Sequence, residues 1–184
     1  NPKDQNGIKL FLPFHGMKPL PADDVNLTQT LLKQNFGAIK KISLRGKKTD
    51  CRQKALQLFR NFSLMQENSW IDSPDALKAL ILVVDPAFGA LKEIAAQIFK
   101  ETGVGKVIEV NAGKSGAVNF RSGVADLEGC PRITAEMILK PTGIFHSHKA
   151  IIKLFEIGRA NKKSAVAGKK RIAGAIFDAD GDRF

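Results

Sequence analysis

Every position from Leu80 to Val84 is apolar, and the run stops at Asp85-Pro86. Five apolar residues closed by a turn signal predict a strand buried on both faces, as in a parallel sheet. Leu91, Ile94, Ala95, Ile98 and Phe99 then recur at helical spacing up to Gly103, which predicts an amphipathic helix with a glycine stop. Lys106 to Val110 supplies the next strand. Together these make a βαβ unit, whose crossover is nearly always right-handed and whose strands are then parallel. Residues 112–132 are rich in glycine and polar side chains and read as loop, with a short strand expected near Val118 to Phe120. A second helix carries Ile151, Leu154 and Phe155. The run Ile172 to Phe177 forms the last strand and leads straight into Asp178.

The first part of the chain is patterned less regularly. Ile8 to Phe14 and Ile39 to Leu44 are short extended candidates, separated by a helix with Leu27, Leu31 and Leu32. A clearer helix places Cys51, Ala55, Leu58, Phe59 and Phe62 on one face. Periodicity fails around Asn68 to Asp75, and Asp72-Ser73-Pro74 reads as a boundary followed by a new helix start. The domain junction is expected there, dividing 1–73 from 74–184.

Composition narrows the class. With 184 residues, 43% of them hydrophobic, the chain has enough apolar matter for a folded core. No apolar run nears the roughly 20 residues that cross a bilayer, and Asn1 to Lys9 are polar. A cytoplasmic protein without a membrane partner is expected. Cys51 and Cys130 lack zinc or disulfide spacing and read as reduced thiols.

Charge adds one competing function. The net charge is +11, concentrated in two stretches: residues 33–60 hold nine basic residues against Asp50, and 140–171 hold nine against Glu156. Such stripes suit the phosphates of a nucleic acid or another polyanion. The aromatic platforms that accompany base stacking are missing, because Tyr is absent, Trp70 stands alone and the twelve Phe fall mostly in apolar patterns. Nucleic-acid binding is therefore disfavoured against a solvated basic face or a surface serving anionic sugar phosphates.

The chemistry concentrates in Asp178-Ala179-Asp180-Gly181-Asp182-Arg183, directly after an apolar strand. Three carboxylates at alternate positions of a tight loop can converge on one hard cation, and Ala179 and Gly181 let the backbone curl. Ligands of open α/β sheets gather beyond the carboxyl ends of strands, where Asp85 and this triplet both fall. A calcium loop of the helix-loop-helix type fails, since Arg183 stands where its sixth-position glycine belongs. A haloacid-dehalogenase-type phosphatase, with the first Asp as nucleophile, stays open as an enzyme rival. Gly113-Lys114-Ser115 lacks the first glycine of a nucleotide loop, and His146 and His148 read as polar helix-start residues without a third metal partner. His15 reads as a loop residue.

Asp-x-Asp-Gly-Asp-Arg after a strand resembles the metal loop of the α-D-phosphohexomutases, the phosphoglucomutase and phosphomannomutase family. Asn1-Pro2-Lys3-Asp4-Gln5-Asn6-Gly7-Ile8-Lys9 is similar to the stretch after the Ser-His of that family's catalytic loop. Val83-Val84-Asp85-Pro86 with Gly89 resembles the strand and glycine turn opening its second domain. The three motifs stand in the right order across nearly the whole chain.

The resemblance implies an isomerase that shifts a phosphoryl group between the 1 and 6 positions of a hexose phosphate, through a phosphoserine and a bisphosphorylated sugar. Asp178, Asp180 and Asp182 would bind Mg2+, with the phosphoserine phosphate as a further ligand. Arg183 would lie beside that phosphate, Lys9 would serve proton transfer or charge stabilisation, and Asn1 would shape the catalytic loop. The implied fold is α/β: a three-layer α/β/α domain with a mixed sheet over 74–184, and the remainder of the phosphoserine domain over 1–73. The chain reads as an internal fragment, expected to be inactive alone and to bind magnesium weakly. Ala112 to Ile133 departs from the family's Pro-Asn-Pro loop, which leaves the sugar unspecified. Strands ending at both Asp85 and Asp178 would favour this reading, and a continuous basic groove would favour the polyanion module.

Overall fold

The computed structural model describes residues 10–13, 16–39, 46–69, 71–73 and 75–184. They fall into two compact units, one within 10–50 and one within 51–184. In the smaller unit, α1 (Pro21–Leu32) starts with proline at its first position, and Asp23 accepts a hydrogen bond from the Leu20 N–H. The short α2 (Phe36–Ile39) follows. The strand expected over 39–44 lies outside the described residues apart from Ile39, which ends α2. Within the run expected over 8–14, residues 10–13 form no strand.

The larger unit is a mixed α/β structure around a small parallel sheet. Its strands are β1 (Leu80–Asp85), β2 (Lys106–Glu109) and β3 (Arg171–Ile176), in the order β2-β1-β3. Both pairings are parallel, with Val84 opposite Glu109 and Asp85 opposite Ile176. The predicted βαβ unit is present, and the sheet expected as mixed is parallel throughout among the described residues.

Pleating explains why β1 is wholly apolar. Ile81 and Val83 join a core with Ile138, Phe145, Ala150, Ile151, Ile157 and Ile176. Leu82 and Val84 face the other way, into a core with Ala95, Val104 and Ala175. Burying a Val side chain completely, as at Val83 and Val84, contributes roughly 2 kcal/mol each. The first core is completed by α5 (Ala135–Leu139) and α6 (Lys149–Ala160), the second by α4 (Ala95–Glu101). The short α7 (Lys162–Val166) then leads to β3.

α3 (Arg52–Leu64) belongs to this unit and makes charge pairs with α4 and with the turn before it. Arg60 holds Glu101 at 2.5 and 3.0 Å through two nitrogens, and Arg52 pairs with Glu93.

Three local expectations need correction. No strand forms at Val118 to Phe120, because Asn119 and Arg121 take left-handed backbone angles that break extension. The helix expected after Ser73 is a series of turns over 75–79 running into β1, with the Ser73 hydroxyl accepting from the Asp75 N–H. Leu91 and Ile94 lie in turns before α4, which begins at Ala95.

Candidate metal-binding loop

The parallel sheet brings the ends of β1 and β3 side by side. β1 ends at Asp85 and β3 at Ile176, two residues before Asp178. Beyond them, the carboxylates of Asp178, Asp180 and Asp182 each offer an oxygen, and these atoms lie within 4.8 Å of one another. Asp178 is buried, and Asp180 and Asp182 are exposed.

The loop is shaped by its own first carboxylate. Asp178 Oδ1 accepts from the N–H groups of Gly181 at 2.9 Å, Asp182 at 3.1 Å and Arg183 at 3.3 Å. Asp178 Oδ2 accepts from Arg183 Nε at 3.0 Å, and the Asp178 N–H returns to the Arg183 carbonyl. Gly181 supplies the left-handed residue (φ +78°) that lets the chain fold back, and a Cβ there would strike Leu91.

Arg183 is thereby fixed at the base of the loop. Its Nη1 reaches Glu128 at 2.6 Å, a partner 55 residues away that the sequence pattern did not single out. The Asp178 hydrogen bond, followed by the charge of Glu128, raises the guanidinium above its ordinary pKa. It is a permanent cation beside the carboxylates.

All-oxygen donors suit a hard dication. Opposed oxygens stand about 4.2 Å apart on Mg2+ and about 4.6–5.2 Å apart on Ca2+. Three carboxylate oxygens within 4.8 Å of one another can converge on one such ion by drawing together. Asp178 Oδ1 accepts three N–H donors and Oδ2 one, from Arg183 Nε, so Oδ2 keeps the larger remaining acceptor capacity.

The turn after β1 abuts this loop. Gly89 passes beneath Ala179 so closely that a Cβ would lie 2.1 Å from the Ala179 carbonyl oxygen, which also accepts from the Ala90 N–H at 2.7 Å. Asn1 and Lys9, the other site residues expected from the sequence, lie outside the described residues, as does His15.

Two residues that the sequence reading left in minor roles are fully buried here. Asp85 accepts from the Ala87 N–H at 2.9 Å, Asn111 Nδ2 at 2.9 Å and the Gly123 N–H at 3.1 Å. His148 occupies the expected helix start, at the N-cap of α6, but its ring is inside, with Nε2 3.0 Å from the Gly123 carbonyl. A carbonyl only accepts, so Nε2 carries the proton. His146 Nδ1 meets the Ile138 carbonyl at 3.2 Å. Gly113-Lys114-Ser115 is followed by bends and turns rather than a helix, as its poor match to a nucleotide loop predicted. Compared with known proteins, the chain matches no family model, no curated protein and no solved structure.

Proposed function

We propose that this chain is part of a magnesium-dependent phosphohexomutase, an intramolecular phosphotransferase acting on a hexose phosphate through a phosphoserine and a bisphosphorylated sugar. The observation that carries the reading is the convergence of Asp178, Asp180 and Asp182 within 4.8 Å beyond a parallel strand, with Arg183 anchored beside them. Strands that end at Asp85 and just before Asp178 support it further. On this reading residues 74–184 are a three-layer α/β/α domain, 1–73 complete a phosphoserine domain, and the intact protein is cytoplasmic.

Phosphoryl transfer asks mainly for positioning and charge neutralisation. Asp178, Asp180 and Asp182 would hold Mg2+, which supplies a compact positive charge for the phosphoryl oxygens. Arg183 adds a second positive charge in a fixed place, held by Asp178 and Glu128 before any anion arrives. Lys9 would move a proton or steady charge on the sugar, and Asn1 would shape the loop bearing the phosphoserine. A cation beside a guanidinium is favoured further when an anion joins both, so metal and phosphate affinities are linked.

Calorimetric titration of Mg2+ into the chain tests the reading. Binding is expected to be weak, to strengthen several-fold with glucose 1,6-bisphosphate but not with glucose, and to drop at least tenfold in Asp180→Asn. An isotherm indifferent to Asp180→Asn would put the metal elsewhere and remove the basis of the proposal.

A further inference from the structure

We propose that Asp85 is the positioning residue of the Asp178 loop, gripping it from below through two arms that end on either side of Asp178. The proposal rests on the reading of that loop as the functional site.

The first arm is the turn after β1. Asp85 Oδ1 accepts from the Ala87 N–H, and Ala87 and Phe88 are held in consecutive left-handed conformations, at φ +52° and +56°. Such angles are uncommon for residues other than glycine, and two in succession need an external hold. The turn delivers Gly89 and the Ala90 N–H to the Ala179 carbonyl, immediately after Asp178.

The second arm is the loop 119–124. Asp85 Oδ2 accepts from the Gly123 N–H, and His148 donates to the Gly123 carbonyl from the opposite side. Next in the chain, the Val124 N–H donates to the Phe177 carbonyl, immediately before Asp178. Asn111 and Asn119 tie the arms together. Asn111 Nδ2 binds Asp85 Oδ2 while the Asn111 carbonyl accepts from the Phe88 N–H, and the Asn119 N–H reaches the Ala87 carbonyl.

Both carbonyls flanking Asp178 are thus taken by segments that converge on one carboxylate, and the Phe177 N–H donates to the Asp85 carbonyl as well. Asp85 is fully buried and lies outside the carboxylate triplet, so it acts on a bound group only through the loop it holds. Its three N–H donors are what a buried carboxylate needs in place of water. An asparagine of the same shape turns one acceptor oxygen into a donor facing Asn111 and Gly123.

Amide hydrogen exchange followed by NMR tests this without any metal, so its outcome is separate from that of the Mg2+ titration. In Asp85→Asn the amides of Gly181, Asp182 and Arg183 are expected to exchange at least tenfold faster while those of α6 keep their protection. The swap Asp85→Asn/Asn111→Asp, which returns a carboxylate to the same buried site, should recover most of the slowing. Should Asp85→Asn fail to fold, Asn111→Ser removes one donor from the same carboxylate and is expected to act in the same direction, about threefold. Unchanged exchange at 181–183 in a folded variant overturns the proposal. So does acceleration spread evenly over α6, which would reduce Asp85 to a general contributor to stability.

Discussion

Gly123→Ala is expected to lower the melting temperature by roughly 6–12 °C, from a loss of about 3 kcal/mol spread over a chain of this size. Two costs add. The backbone at Gly123 is left-handed (φ +73°), which costs an alanine about 1 kcal/mol or more. A Cβ would also stand 2.5 Å from the Phe177 carbonyl oxygen and 2.6 Å from the Ala87 Cβ, in a place closed by Asp85 and His148, so overpacking adds about 1–3 kcal/mol. Two controls separate the costs. Gly168 has the same backbone hand (φ +69°) with nothing within 4 Å, so Gly168→Ala should show the conformational cost alone. Gly158 lies in α6 with open space around it, and Gly158→Ala should stabilise by up to about 1 kcal/mol. Circular-dichroism melts of the three variants decide the matter, and Gly123→Ala melting level with Gly168→Ala would mean that this turn can shift aside.

The contrast among these glycines marks what was legible in the sequence. β1, β2, β3 and the helix between the first two could be read because each is a local pattern: an unbroken apolar run, an apolar face at helical spacing, a glycine stop. The carboxylate triplet was legible for the same reason, since alternate aspartates in a short loop cannot be far apart. Its supports were not. Ala87, Phe88 and Arg121 adopt left-handed angles that their side chains do not advertise. At Ala87 and Phe88 they are held by N–H groups that donate to Asp85 and to the Asn111 carbonyl, the latter beyond β2. Arg183 was expected at a phosphate from the motif alone. Its tie to Asp178 is local to the loop, but its tie to Glu128 depends on where the 125–128 turn lands after a stretch with no periodicity to follow. The strand expected near Val118 failed on the same ground, because an apolar-polar alternation of three residues is overridden by tertiary hydrogen bonds.

Asp178→Asn and Asp180→Asn should part company in a way that separates building the loop from binding at it. Asp178 is buried and holds three backbone N–H groups on one oxygen, so the neutral amide weakens every one of those bonds and points N–H at N–H on its other side. A stability loss of about 2 kcal/mol follows, or roughly 4–8 °C in the metal-free melt. Arg183 adds little to that sum, because its side chain is 55% exposed and an ion pair with water access is largely screened. Asp180 is exposed, and removing its charge eases repulsion among the three carboxylates, so the metal-free melt should stay within about 1–2 °C of the wild type. With Mg2+ at ten times its dissociation constant, mass action stabilises the wild type by about 1.4 kcal/mol, or roughly 3–6 °C. Both variants should lose that increment, and only Asp178→Asn should also start lower. Melts of the three proteins with and without Mg2+ read both effects at once. A metal-dependent rise surviving in Asp180→Asn would remove that residue from the ligand set, and a metal-free Asp178→Asn as stable as the wild type would mean that Gly181, Asp182 and Arg183 hold the loop without it.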